Sequence, residues 1–188
     1  MLNNTVALLG GAVAPAVGDY ESIATVSLSA SQTLIQFTSI PSTYKHLQVR
    51  AFARDLRAST WVDTLWVYCN ADTTGTNYYS HGLAGGGSSA SAFADAGANS
   101  YGMPIGLTSA TNIASAYAAN VIDILDYANT SKNKTFRSLH GVEDNTNGSM
   151  RLRSGLWIST AAISTLTFNT AAGGDFAQYS HFALYGVK

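Results

Sequence analysis

Charge is what this chain has least of. Asp, Glu, Lys and Arg make up 11% of its 188 residues, where an ordinary soluble domain carries about 25%. The net charge of −1 leaves no global field to gather nucleic acid or an acidic bilayer, and neither is expected as a partner. A single cysteine, Cys69, excludes an intrachain disulfide framework and any zinc cluster built on thiolates. Set between Tyr68 and Asn70 on an apolar strand, it reads as a small buried hydrophobe. No apolar run approaches the roughly 20 residues that a membrane-spanning helix requires. No Lys or Arg precedes Lys45, so residues 6–17, although apolar, lack the basic flank of a secretory leader. Gly10, Gly11 and Pro15 break any helix there.

In place of charge stand Ser, Thr, Asn, Ala and Gly, together with ten Tyr, seven Phe and three Trp in a chain that is 46% hydrophobic. That content rules out disorder and supplies a core. A polar surface with few charges costs less to desolvate than one of Lys and Glu, and interface cores are depleted of charge. A homo-oligomer or assembly component is therefore expected.

Period-two alternation dominates. Over residues 45–54, Leu47, Val49, Ala51 and Ala53 share one face, while His46, Gln48, Arg50, Phe52 and Arg54 share the other, which predicts a strand half on the core. Residues 61–69 are apolar on both faces and are expected at the centre of a sheet or under a covering loop. Residues 24–28 and 33–37 alternate about Ser29-Ala30-Ser31-Gln32, a linker compatible with a hairpin. Residues 121–127 and 136–142 alternate in turn, and the cluster Glu143 to Gly148 reads as the turn into 150–158. Residues 82–98, rich in Gly, Ser and Ala, read as a long surface loop. Residues 109–120 fit either a short helix or the approach to a strand. The C-terminal stretch gives strands over 152–158, 163–168 and 181–187, and the sequence stops inside the last, so no tail is expected beyond it. Eight to ten strands with turns every 8 to 15 residues predict an all-β fold. The expected form is a single-domain β-sandwich over residues 21–188, of jelly-roll type, with an extended N-terminal arm over residues 1–20.

No constellation of chemistry emerges. His46, His81, His140 and His181 show no ligand-pair spacing. Glu143 to Gly148 fails as a calcium loop, lacking Asp at its first position and a bidentate Glu at its twelfth. Gly85-Gly86-Gly87-Ser88-Ser89 is neither a nucleophile elbow nor a phosphate loop. No catalytic residue, metal site or cofactor is expected, and the chain is read as a non-enzyme. Candidate contacts for assembly are Val6, Leu8, Leu9, Val13 and Val17 on the arm. Arg50 with Arg54, and Arg151 with Arg153, are two same-face pairs able to clamp carboxylates on a neighbour.

Ile40-Pro41-Ser42-Thr43-Tyr44-Lys45-His46-Leu47, together with Tyr20-Glu21-Ser22-Ile23-Ala24, Gly155-Leu156-Trp157 and the closing Leu184-Tyr185-Gly186-Val187-Lys188, resembles a group of small β-rich bacteriophage virion structural proteins. That resemblance implies a location in the virion, no catalytic residues, and partners that are the chain itself and the major capsid protein or another virion protein. Capsid decoration (a cement protein oligomerising on the shell, a trimer being one arrangement) is the first expectation. A tail, knob or fibre component touching host surface glycan is the alternative, and a β-sandwich glycan hydrolase is a distant third.

Overall fold

The computed structural model describes residues 18–96, 102–171 and 173–188. Twelve strands run through them: β1 (Tyr20–Ser27), β2 (Leu34–Phe37), β3 (His46–Ala53), β4 (Val62–Cys69), β5 (Tyr78–Gly86), β6 (Ser89–Ala96), β7 (Met103–Thr108), β8 (Ala118–Leu125), β9 (Lys134–Glu143), β10 (Gly148–Trp157), β11 (Leu166–Thr170) and β12 (His181–Val187). One 3-10 turn, Gly75–Asn77, precedes β5. The strands form two antiparallel sheets, a wide one of order β1-β12-β3-β8-β9-β10-β5-β6 and a narrow one of order β2-β11-β4-β7. The fold is an all-β sandwich.

Alternation builds each layer. β3 turns Leu47, Val49, Ala51 and Ala53 inward, as its sequence predicts, and β8 and β9 add Ile122, Ile124 and Phe136. The narrow sheet answers with Ile35, Phe37, Leu65, Val67, Met103, Ile105, Leu166 and Phe168. Phe168 sits edge-on to Phe37 at 5.9 Å and against Phe182 at 5.3 Å, joining the two layers. β4 lies between β11 and β7, one of the two positions its apolar faces allow. Cys69 is buried and free, and burial pushes its thiol well above the usual range.

The two sheets exchange strands in a regular way. Without the hairpins β5–β6 and β9–β10, the sheets reduce to β1-β12-β3-β8 and β2-β11-β4-β7, and the pairs β1/β2, β3/β4, β7/β8 and β11/β12 each step from one sheet to the other. The hairpins widen one sheet only. β9–β10 turns where expected, with Asp144 Oδ1 accepting the Thr146 and Asn147 amides and Asn145 at φ 70.

Two expectations are corrected. Residues 82–98 are not a long loop. Through residue 96 they complete the β5–β6 hairpin, paired from Tyr79↔Ala96 to Gly86↔Ser89. Gly87, at φ 57, opens a two-residue turn of the kind that needs positive φ, so the glycines serve a hairpin. Nor do residues 29–32 close a hairpin. Leu28 and Gln32 bond to the backbone of Ser180 and Phe176, and the linker carries the chain from one sheet to the other. Of the two readings of residues 109–120, the approach to a strand holds: turns over residues 110–115 lead into β8.

Candidate functional site

The arginines proposed as surface clamps divide. Arg54 is buried, and its guanidinium donates to the carbonyls of Ile113 (2.7 Å), Ala116 (2.9 Å), Ala110 and Asn112 (both 3.1 Å). It is not a surface contact, because both of its terminal nitrogens are used to hold residues 110–116. Arg153 is likewise buried, paired with Asp95 of β6 and lying over the Phe93 ring at 4.5 Å. Sequence spacing correctly puts Arg151 and Arg153 on one face, but that face turns inward.

Arg50 alone of these points outward. It lies over Tyr185 at 5.0 Å and Tyr20 at 5.5 Å, and donates to Gln48 Oε1 at 2.8 Å. Arg151 is half-buried, its Nε has no hydrogen-bond partner, and its guanidinium lies 5.7 Å from the Phe93 ring. Val6, Leu8, Leu9, Val13 and Val17 lie outside the described residues.

The outer face of the wide sheet carries what the sequence reading missed. Register places Arg50, Val121, Leu139, Leu152, Leu83 and Ala92 in one row across six strands. The four aliphatic residues are 39%, 48%, 52% and 60% exposed in that order. A second row, Phe52, Ala119, Gly141, Met150, Gly85 and Ala90, is also apolar, with Phe52 stacked on Tyr117 at 5.1 Å. Beyond the first row runs a polar one, Gln48, Asp123, Arg137, Ser154 and His81, in which Asp123 accepts from Gln48 at 2.9 Å and lies 3.7 Å from Arg137. Shallow apolar hollows of about 460 and 430 Å³ flank Leu139 and Leu152. A signal was present: Leu139, Leu152 and Leu83 fall on the phase of their strands that should be polar. It becomes visible only when register aligns the strands.

A second feature lies between the layers. Asp63 and Thr64 of β4, Gly106 of β7, His140 of β9, and Ser149 and Arg151 of β10 surround a crevice of about 160 Å³. His140 is buried, with Nε2 against Gly106, where a Cβ would come within 1.9 Å of it, and with Nδ1 unpartnered. Burial, and then the charges of Arg151 and Arg153, pull its pKa down to about 4, so the ring is neutral at pH 7. Asp63 is held by Arg57 at 3.1 Å. The buried Asp55 is raised to about 7 by burial and by Asp63 beside it. Asp55 Oδ1 accepts the Arg57 amide and Oδ2 has no donor.

Among the described residues no three His, Cys, Asp or Glu side chains gather as a metal site. Comparison with protein-family models, with curated proteins and with solved structures finds no match.

Proposed function

We propose that this chain is a non-enzymatic structural protein of a phage virion that assembles through the outer face of its wide sheet, with capsid decoration as its first role. The observation that carries the reading is the exposed row Val121, Leu139, Leu152 and Leu83. Exposed contiguous apolar surface on a soluble domain marks an interaction site. Support comes also from the strand exchange: four pairs stepping between two four-stranded sheets is the pattern of a jelly roll, an architecture common in viral capsid domains. On that reading β5–β6 and β9–β10 are insertions, and they supply most of the apolar rows. The virion assignment rests further on the sequence resemblance.

The face is self-complementary, which favours a second copy as its occupant. About a two-fold axis between β9 and β10, Leu139 meets Leu152 of the second copy and Val121 meets Leu83. Large residues meet small ones, Met150 against Gly141 and Phe52 against Ala90, and Asp123 meets His81. Six strands about 4.8 Å apart and three rows about 6.8 Å apart give roughly 500 Å² per copy, near the lower limit for a specific interface.

Sedimentation tests this directly. The protein should associate, and Leu139→Glu with Leu152→Glu should leave a folded monomer. A wild-type monomer, or an undisturbed oligomer in the double variant, would refute the face. Hundreds of copies per virion are expected of decoration. A few dozen or fewer would favour the tail or fibre reading, for which Phe52 and Tyr117 beside Glu143 offer an aromatic and an acceptor to a sugar.

A further inference from the structure

We infer that the crevice between β4, β7, β9 and β10 binds a small hydroxycarboxylate, its carboxylate held by Arg151 and His140 and its hydroxyl by Asp63. This inference is independent of the assembly reading, because the crevice faces inward between the sheets.

The donor set points to an oxyanion. Arg151 has no ion pair or hydrogen bond among the described residues, and its Nε–H is buried without an acceptor. Leaving such a donor unpaired costs about 1–3 kcal/mol, more when it is charged. His140 is 3% exposed with Nδ1 unpartnered, and a neutral imidazole always has one N–H to give. Ser149 lines the same crevice. A carboxylate would accept from the guanidinium as a charge-assisted pair, the strong form of hydrogen bond.

Asp63 selects among anions. Its charge is already matched by Arg57 at 3.1 Å, and Oδ1 accepts the Thr64 amide at 2.7 Å. Each carboxylate oxygen keeps a further lone pair, able to accept from a hydroxyl. A second negative charge on the ligand would be repelled, so a singly charged acid fits and the phosphate dianion does not. The volume of about 160 Å³ corresponds to roughly five waters, enough for an acid of a few carbons. Gly106 is required by the site, since any Cβ there would displace the His140 ring.

Calorimetry on the whole protein at about pH 8.5, where inorganic phosphate is chiefly the dianion, with lactate, acetate and phosphate tests the inference, with binding in the roughly millimolar range expected of so few contacts. Lactate should bind most tightly, acetate more weakly and phosphate least. Arg151→Gln, checked for an intact fold by circular dichroism, should weaken lactate at least tenfold. In the wild-type protein lactate should move the His140 ring proton resonances, a readout that needs no variant. Neither heat nor resonance shift with lactate well above millimolar concentration would overturn the inference. So would phosphate binding as tightly as lactate, or unchanged affinity in a folded Arg151→Gln protein.

Discussion

Trp157, at the end of β10, donates its indole N–H to the Asp72 carboxylate at 2.7 Å, across 85 residues of chain. The same carboxylate accepts Asn77 Nδ2 at 2.8 Å and the Thr74 amide at 2.9 Å. One side chain thus ties the exit of β4 to the entry of β5 and the end of β10.

Asp72→Ala should cost about 1–3 kcal/mol by stranding the Trp157 donor, read as a fall in the urea midpoint at unchanged slope. Burial raises this carboxyl, but hydrogen bonds from Trp157, Asn77 and Thr74 outweigh it and hold the pKa below the usual value. Its contribution is therefore present above the ordinary Asp range near 4 and lost as pH falls through the lower folded value. The acid limb of the wild-type stability curve should flatten in the variant.

Asp55 and His140 act on stability in one pH window with opposite sign. Asp55, raised to about 7, adds stability that is whole below about pH 4 and lost as pH rises through 7. His140, lowered to about 4, adds stability that is whole above about pH 6.5 and lost as pH falls through 4. Between pH 4 and 6.5 the two offset each other. Asp55→Asn should raise the melting temperature at pH 8, leave it unchanged near pH 4, and expose a stability that climbs with pH. His140→Gln should expose the reverse slope. Parallel curves for wild type and both variants would contradict the assignment.

Lys134 is buried, and its ammonium donates to the carbonyls of Asn129 (2.6 Å), Lys132 (2.8 Å) and Thr160 (3.2 Å). Lys134→Met should fill the space yet leave three acceptors without a donor, destabilising by about 1–3 kcal/mol. Hydrogen exchange should quicken over residues 129–133 first.

Gly87 heads the β5–β6 turn at φ 57, with open space around its α-carbon. Gly87→Val should cost roughly 1–2 kcal/mol from backbone strain alone, visible as a lower melting temperature. Gly85→Ala, at negative φ with nothing within 4 Å, should change it by less than about 0.5 kcal/mol.

Much of the sandwich was legible because alternation is local: β3, β4, β8, β9 and β12 all announce themselves in the sequence. β5 and β6 did not, since Gly, Ser and Ala pack weakly and carry little strand preference of their own. They pair because β10 offers them an edge. The roles of Arg54, Lys134 and Arg153 were hidden for another reason. A long cation on or beside a strand reads as surface whatever its phase, and only the loop carbonyls or the Asp95 carboxylate that the fold brings to it show that it is buried. Leu139 and Leu152 are the converse, apolar residues on exposed phases whose adjacency is a matter of register.

β6 reads Ser-Ala-Ser-Ala-Phe-Ala-Asp-Ala, and a strand so uniform on both faces could slide by one residue at little cost. Phe93 and Asp95 are what distinguish its two sides, and both are engaged by Arg153, one through its ring and one through its carboxylate. A slip of one place would leave the guanidinium buried without its counter-charge and turn Ala92 away from the apolar row. The Arg153–Asp95 pair is therefore a latch on alignment. Through it a contact on the inside of the sheet determines which side chains the outside presents.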